Sequence, residues 1–173
     1  MAHDDELILV DLYDRPVGHL DKNAVHEKGL LHRAFSVFLT DGERMLIQRR
    51  AYGKYHSGGL WANACCSHPR VGETLQEAVP RRLKEELGIC CEVKELGAFV
   101  YYARYSDTMH EYEYEHIFIG HFEGEVTPDP EEIAETRWIR FEDLEKEMME
   151  DPDRFSVWFM IAAPQVLAAL KQA

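Results

Sequence analysis

The chain has 173 residues, 46% apolar and 29% charged, the size and balance of one globular unit with its own core rather than a disordered, collagenous or disulfide-stapled chain. Its 19 basic and 32 acidic residues leave a net charge of −13, which argues against sequence-independent binding to nucleic acid or to an anionic membrane, since both need a basic face. No run reaches the ~18 apolar residues of a spanning helix, and MAHDDELILV at the start carries acid where a secretory signal carries base.

In chain order, ELILVDLYD reads as a strand. Residues 34–39 and 45–49 are β-rich runs around Asp41-Gly42, a hairpin signal. Residues 53–69 contain Gly58-Gly59 and few helix cues, so a loop with short strands is expected. Thr74 to Leu87 reads as a helix: Thr74 and Glu77 fit a capping box and Gly88 sits just past the end. Leu75, Val79, Leu83 and Leu87 recur every four residues and should face the core. Pro80 within that span predicts a kink or a later helix start. Residues 92–105 and 111–122 read as two more strands. In the second, Glu111, Glu113 and Glu115 alternate with Tyr112, Tyr114 and His116, and the period of two puts all three acids on one sheet face. A turn at 127–132, a short strand at 136–139 and helices at 141–149 and 155–170 complete the pass, with the last helix expected to break at Pro164. Strands and helices mix without strict alternation. The fold class is α+β, a mixed sheet sandwiched by helices, in a single unit spanning 1–173.

The four cysteines form two adjacent pairs, Cys65-Cys66 and Cys90-Cys91. Neighbouring cysteines seldom bond to each other, so free thiols in a reducing, cytoplasmic setting are expected. By itself, the run Arg81-Arg82-Leu83-Lys84-Glu85-Glu86 is a solvated charged helix face. Taken with its surroundings, 67–89 resembles the loop–helix–loop signature of the Nudix superfamily. Glu73, Arg81, Glu85, Glu86, Gly88 and Ile89 match; Ser67 stands in place of the opening glycine and Arg82 in place of a glutamate. That glutamate is a main metal ligand in the family's hydrolases. Its exchange for a cation weakens the hydrolase reading and keeps a diphosphate-binding one.

Just before the helix lies Asn63-Ala64-Cys65-Cys66-Ser67-His68-Pro69. It resembles the Asn-x-x-Cys-x-His-Pro signature of the type I isopentenyl-diphosphate isomerase family, a Nudix branch. His26 and His32 precede it in the order of that family's leading histidines. Arg49-Arg50-Ala51 with Lys54, Glu111-Tyr112-Glu113, Trp138 and Phe155-Ser156-Val157-Trp158 also match in order.

The resemblance implies a shift of one double bond by adding and removing protons. Cys66 and Glu113 would be the two proton carriers, their order left open. Tyr101 would hydrogen-bond Glu113, and Trp158 would turn a π face to a cationic carbon. His26, His32, His68, Glu111 and Glu113 would hold a manganese or zinc ion. Glu86 would help hold Mg2+ at the diphosphate, and Lys22, Arg50, Lys54 and Arg82 would bind that diphosphate. Trp61 reads as packing, and His3, His19, His56, His110, His116 and His121 as structural. Glu113 and Glu115 remain the alternate acid pair. Rival functions are a Nudix pyrophosphohydrolase and a non-catalytic diphosphate-binding Nudix domain. The expected partner is a small diphosphate, with no nucleic acid and no membrane.

Overall fold

The computed structural model describes residues 5–173. Its frame is a nine-stranded mixed sheet. A hairpin of β1 (Glu6–Val10) and β2 (Pro16–Asp21) leads into the short helix α1 (Lys22–Lys28). Asp21 caps that helix through Ala24 N–H at 3.1 Å, and Gly29, at φ +64°, ends it.

The central strand is β3 (His32–Thr40). One of its edges pairs in parallel with β8 (His110–His121) along its whole length. Along the other edge it meets β1, then β6 (Cys65–Ser67), then β4 (Arg44–Arg50), all antiparallel. Asp41 closes the β3–β4 turn by accepting from the N–H of Glu43 and Arg44 at 3.0 and 2.7 Å. β5 (Trp61–Asn63) and β9 (Ile133–Arg140) flank β4, and β7 (Val93–Arg104) pairs with β8. β9 begins earlier than the short strand expected at 136–139, because pairing with β4 extends it back to Ile133.

Period-two alternation sorts the sheet into two buried faces. Phe35, Val37, Leu39, Leu46 and Phe118 pack with Ala78, Val79, Leu83 and Leu87 of α2 (Leu75–Leu87). Phe38, Met45, Ile47, Ile117 and Ile119 face α3 (Phe141–Glu150) and α4 (Val157–Lys171). Cys65 belongs to the first core, whereas Cys66 packs against the second. All four cysteines are free thiols.

Two proline expectations give way to the same physics. α2 starts where its cap predicts, with the Glu77 carboxylate accepting from both Thr74 N–H and Thr74 Oγ1 at 2.8 Å, and it continues through Pro80. α4 likewise runs unbroken through Pro164, so the expected interruption is not there; a single 3₁₀ turn at Pro152–Arg154 precedes it. Both prolines lie on the solvent side. Each costs one backbone hydrogen bond. The buried faces around them, Ala78, Val79 and Leu83 or Phe159, Ala162, Ala163 and Val166, hold the helix continuous.

Candidate active site

The site grows out of β8. Ile119 and Ile117 face the α4 core, and the same face continues toward the start of the strand as Glu115, Glu113 and Glu111, 2%, 7% and 1% exposed. Three carboxylates in what would otherwise be core demand partners. The residues of the neighbouring strands and loops supply them.

At one end, His26 of α1, His32 at the start of β3, His68 after β6 and Glu111 bring one ligand atom each within 4.8 Å of one another. His26 Nε2 lies 3.0 Å from Glu111 Oε1, and His32 Nε2 lies 3.4 Å from Glu111 Oε2. His32 Nδ1 is 2.9 Å from Leu30 O, a contact that puts its proton on Nδ1 and leaves Nε2 a lone pair. His26 Nε2, His32 Nε2 and Glu111 Oε2 are buried without a hydrogen bond. Acceptor atoms left this way are free to ligate a cation, and three imidazoles with a carboxylate suit a divalent transition metal. Burial above all, with the Lys22 charge nearby, holds His68 well below the ordinary histidine value, hence neutral and able to coordinate. Burial works against the charge of Glu111, but the imidazoles of His26, His32 and His56 packed around it outweigh that and hold the carboxyl well below its ordinary value.

Glu113 stands beside this group rather than within it. Its Oε2 is 3.8 Å from His68 Nε2, and its Oε1 accepts from Tyr101 OH at 2.8 Å, the residue directly across on β7. Burial and the charges of Glu111 and Glu115 push the Glu113 carboxyl well up, and burial and Glu113 do the same to the Tyr101 phenol, which stays a donor. Glu115 is bonded to Ser36 on β3.

Cys66 completes the same pocket, with Phe35, Arg50, Tyr55, His56 and Trp158 around it. Its Sγ lies 3.1 Å from Asn63 Oδ1 and 3.1 Å from Trp158 Nε1, which also donates to Asn63 at 3.2 Å. Asn63 is itself fixed by donating to Val37 O and Cys65 O at 3.1 and 2.8 Å. Trp158 arrives because Ser156 N–H donates to Trp61 O at 2.9 Å, seating the first turn of α4 beside β5. Burial first, then the Glu115 charge, pushes the Cys66 thiol up to about 12, so it is protonated at neutral pH.

A second, polar pocket adjoins the first and shares Arg50, Tyr55, Cys66, Ser67 and His68 with it. It gathers Lys22, Arg50, Lys54 and Arg82 with Glu86 and Glu132. Lys54 pairs with Glu132 at 2.6 Å; Arg82 pairs with Glu85 at 2.7 Å, with Glu132 at 3.6 Å and closely with Glu86. Glu86 is 3% exposed, so this part of the charged helix is no solvated face. Burial first, then repulsion from Lys54, lowers the Lys22 ammonium, with Glu111 and Glu132 opposing. Trp61 is core packing, under the Arg137 guanidinium at 4.5 Å.

Sequence reasoning missed three members of this constellation. His56, taken as structural, is buried with Nε2 3.0 Å from Glu111. Tyr55 stacks on His26 with ring centroids 5.4 Å apart and lies 4.7 Å from Lys22 Nζ. Glu132, in the expected turn at 127–132, reaches Lys54 because Ala51 N–H bonds to its carbonyl. Only their closeness in sequence to Lys54 hinted at the first two; Glu132 had no local signal. The other histidines hold structural partners: His19 with Glu6, His110 with the His26 carbonyl, His116 with Asp14 and Glu95, His121 with Glu123. His3 lies outside the described residues.

Comparison with known proteins places the chain in a family. Residues 30–159 match the NUDIX domain model. An isopentenyl-diphosphate Delta-isomerase from Burkholderia multivorans is 50% identical over 157 residues, covering 90% of this chain and 89% of that protein. Among solved structures, a Deinococcus radiodurans protein superposes with a TM-score of 0.70 at 20% identity over 84% of this chain and 90% of its own. A MutT NUDIX hydrolase from Burkholderia pseudomallei gives 0.64 at 21% identity, over 79% and 98%. Those two likenesses speak for the fold alone. By its domain match and the length and identity of its sequence relatives, the chain belongs to the Nudix family and, within it, to the isopentenyl-diphosphate Delta-isomerases.

Proposed function

We propose that this chain interconverts isopentenyl and dimethylallyl diphosphate by protonating one carbon and deprotonating another. The observation that carries the reading is a buried pocket holding a thiol, a carboxylate and an indole ring, opening onto a pocket of cations. A proton added to the terminal methylene carbon takes the electron pair of the double bond and leaves a tertiary carbocation. Loss of a proton from the methylene next to the cation, which lies between it and the ester-bearing carbon, returns a pair and forms the new double bond. No bond to phosphorus breaks.

Cys66 and Glu113 are the two proton carriers. The protonated thiol and the carboxyl bonded to Tyr101 support those roles, because a carrier must be within reach and poised to exchange. Trp158 faces the cation; its ring already accepts the Arg50 guanidinium 4.9 Å from its centroid. Phe35 and Trp158 line the pocket and keep water from the carbocation. Lys22, Arg50, Lys54 and Arg82 hold the diphosphate, Arg by a planar fork and Lys as a point charge.

His26, His32, His68 and Glu111, with Glu113 beside them, would hold manganese or zinc, and Glu86 with the Cys66 carbonyl would hold Mg2+ at the diphosphate. When bound, such an ion supplies positive charge that lowers the pKa of the carboxylates it touches. The whole of 1–173 serves this one site, in the cytoplasm, on a free small molecule; among the described residues no helix is long and apolar enough to cross a membrane.

Following the allylic proton signals of isopentenyl diphosphate by NMR, alongside a phosphate assay, tests the reading. The expected result is allylic product with the diphosphate intact. Phosphate release with Mg2+ would mark a pyrophosphohydrolase, and binding without turnover a sensor; the salt bridges of Arg82, at the position where hydrolases carry a ligand glutamate, speak against the first.

A further inference from the structure

His56 belongs to none of the sequence motifs, yet its ring is held on every side. It stacks on Tyr105 with centroids 4.3 Å apart and planes 10° apart, and meets Trp158 edge-on at 5.8 Å. Nδ1 lies 2.9 Å from Ser57 Oγ and Nε2 lies 3.0 Å from Glu111 Oε1. Ser57 has φ +55°, a left-handed conformation that residues other than glycine seldom adopt. Such local strain persists where its surroundings enforce it, and here the strained residue is the one whose hydroxyl meets the ring.

The proton inventory then follows. An ionised carboxylate only accepts, so the nitrogen facing Glu111 carries a proton; in the neutral ring Nδ1 is left to accept from the Ser57 hydroxyl. With Glu111 Oε1 engaged by His56, and 3.0 Å from His26 Nε2, Oε2 is the buried oxygen left without a hydrogen bond, 3.4 Å from His32 Nε2 in the same His26–His32–His68 cluster.

We propose that His56, with its tautomer set by Ser57, is a positioning residue for the metal centre: it fixes the rotation of Glu111 so that Oε2 faces the ion shared with His26, His32 and His68. This rests on the metal reading given above. It adds a consequence that the ligands alone do not carry. His56 sits on the same loop as Lys54 and Tyr55, directly after Arg50 at the end of β4, so the segment that presents cations to the diphosphate also aligns a metal ligand.

The test measures Zn2+ affinity of the full chain, stripped of metal, by competition with a chromogenic chelator. His56→Phe keeps a ring on Tyr105 but has no nitrogen; His56→Gln restores an N–H at the end of the side chain; Ser57→Gly tolerates the backbone and removes the hydroxyl. Loss of such an outer partner lowers metal affinity by about 10–100-fold, so His56→Phe should fall in that range, with His56→Gln within about threefold of the parent and Ser57→Gly between them. His32→Ala, which removes a ligand, is the reference. If His56→Phe folds and binds Zn2+ like the parent while His32→Ala does not, the inference fails and the metal reading stands. If the parent binds no more tightly than His32→Ala, the metal reading fails and this inference with it. Should His56→Phe not fold, as judged by circular dichroism, Ser57→Gly decides: weakened affinity supports the inference, and parental affinity overturns it.

Discussion

Cys65 and Cys66 are neighbours of identical chemistry with opposite surroundings. Strand alternation sends Cys65 into the α2 core at 0% exposure and Cys66 to the face of Glu113 and Trp158. Cys66→Ala should therefore abolish turnover with the circular dichroism spectrum unchanged, while Cys65→Ala should keep most activity and lose some stability through the small void it leaves. The reverse outcome in a turnover assay would sink the assignment of Cys66. The three strand acids separate in the same manner. Glu111 meets three imidazoles, Glu113 meets Tyr101, and Glu115 meets Ser36. Glu113→Gln should lower kcat by about 10²-fold or more, since an amide cannot carry the proton. Glu111→Gln should be partly rescued by excess metal, and Glu115→Gln should be the mildest of the three. Measured kcat at saturating metal checks this; a dead Glu115→Gln with a rescued Glu113→Gln would move the acid pair two residues along β8.

At the scale of the element, α2 shows how a charged helix becomes a scaffold. Arg81 bridges back to Glu73 in the loop before the helix, at 2.6 and 2.8 Å, and on to Glu85 at 3.2 Å. That staple ties the 67–74 segment, which includes His68, to the helix. Burial alone would raise the Glu73 carboxyl. Hydrogen bonds from Arg81 and the Arg70 N–H outweigh it and hold the group below the usual value of 4.5. A carboxyl lowered on folding adds stability that is present above about pH 4.5 and lost as pH falls through its folded value. Glu73→Gln should accordingly melt below the parent at pH 7, and the gap in Tm should close as pH drops below 4.5. A gap independent of pH would mean that the charge of Glu73 contributes nothing.

Across the whole molecule, the four candidate ligands come from α1, β3, the segment after β6, and β8. An ion held there would bind the folded chain and not the unfolded one, so it should stabilise the fold by mass action. Zn2+ at ~100 times its Kd should add about 2.7 kcal/mol, a rise in Tm of roughly 5–10 °C for a chain of this size. A chelator should reverse the shift, and His32→Ala should remove it. A melting curve indifferent to Zn2+ and chelator would count against a metal at this cluster.

Much of this was legible in the amino-acid order because the features concerned are local. The capping box of Thr74 and Glu77, the turn at Asp41-Gly42 and the one-sided acids of β8 depend on residues at most a few positions apart. The spacing of Cys66 from His68 and of Arg81 from Glu85 and Glu86 is likewise written along one segment. What the chain order could not express is which segments meet. His26 and Glu111 converge only because β3 pairs with β8 while α1 folds back over their start. Glu132 joins Lys54 through the β4–β9 pairing. His56, one histidine of nine, becomes distinct only when its loop lays it against Glu111. Pro80 and Pro164 mislead for the same reason. A proline's cost is local and can be read from sequence, whereas the packing that offsets it comes from residues distant in the chain, and only the tertiary structure brings them into contact.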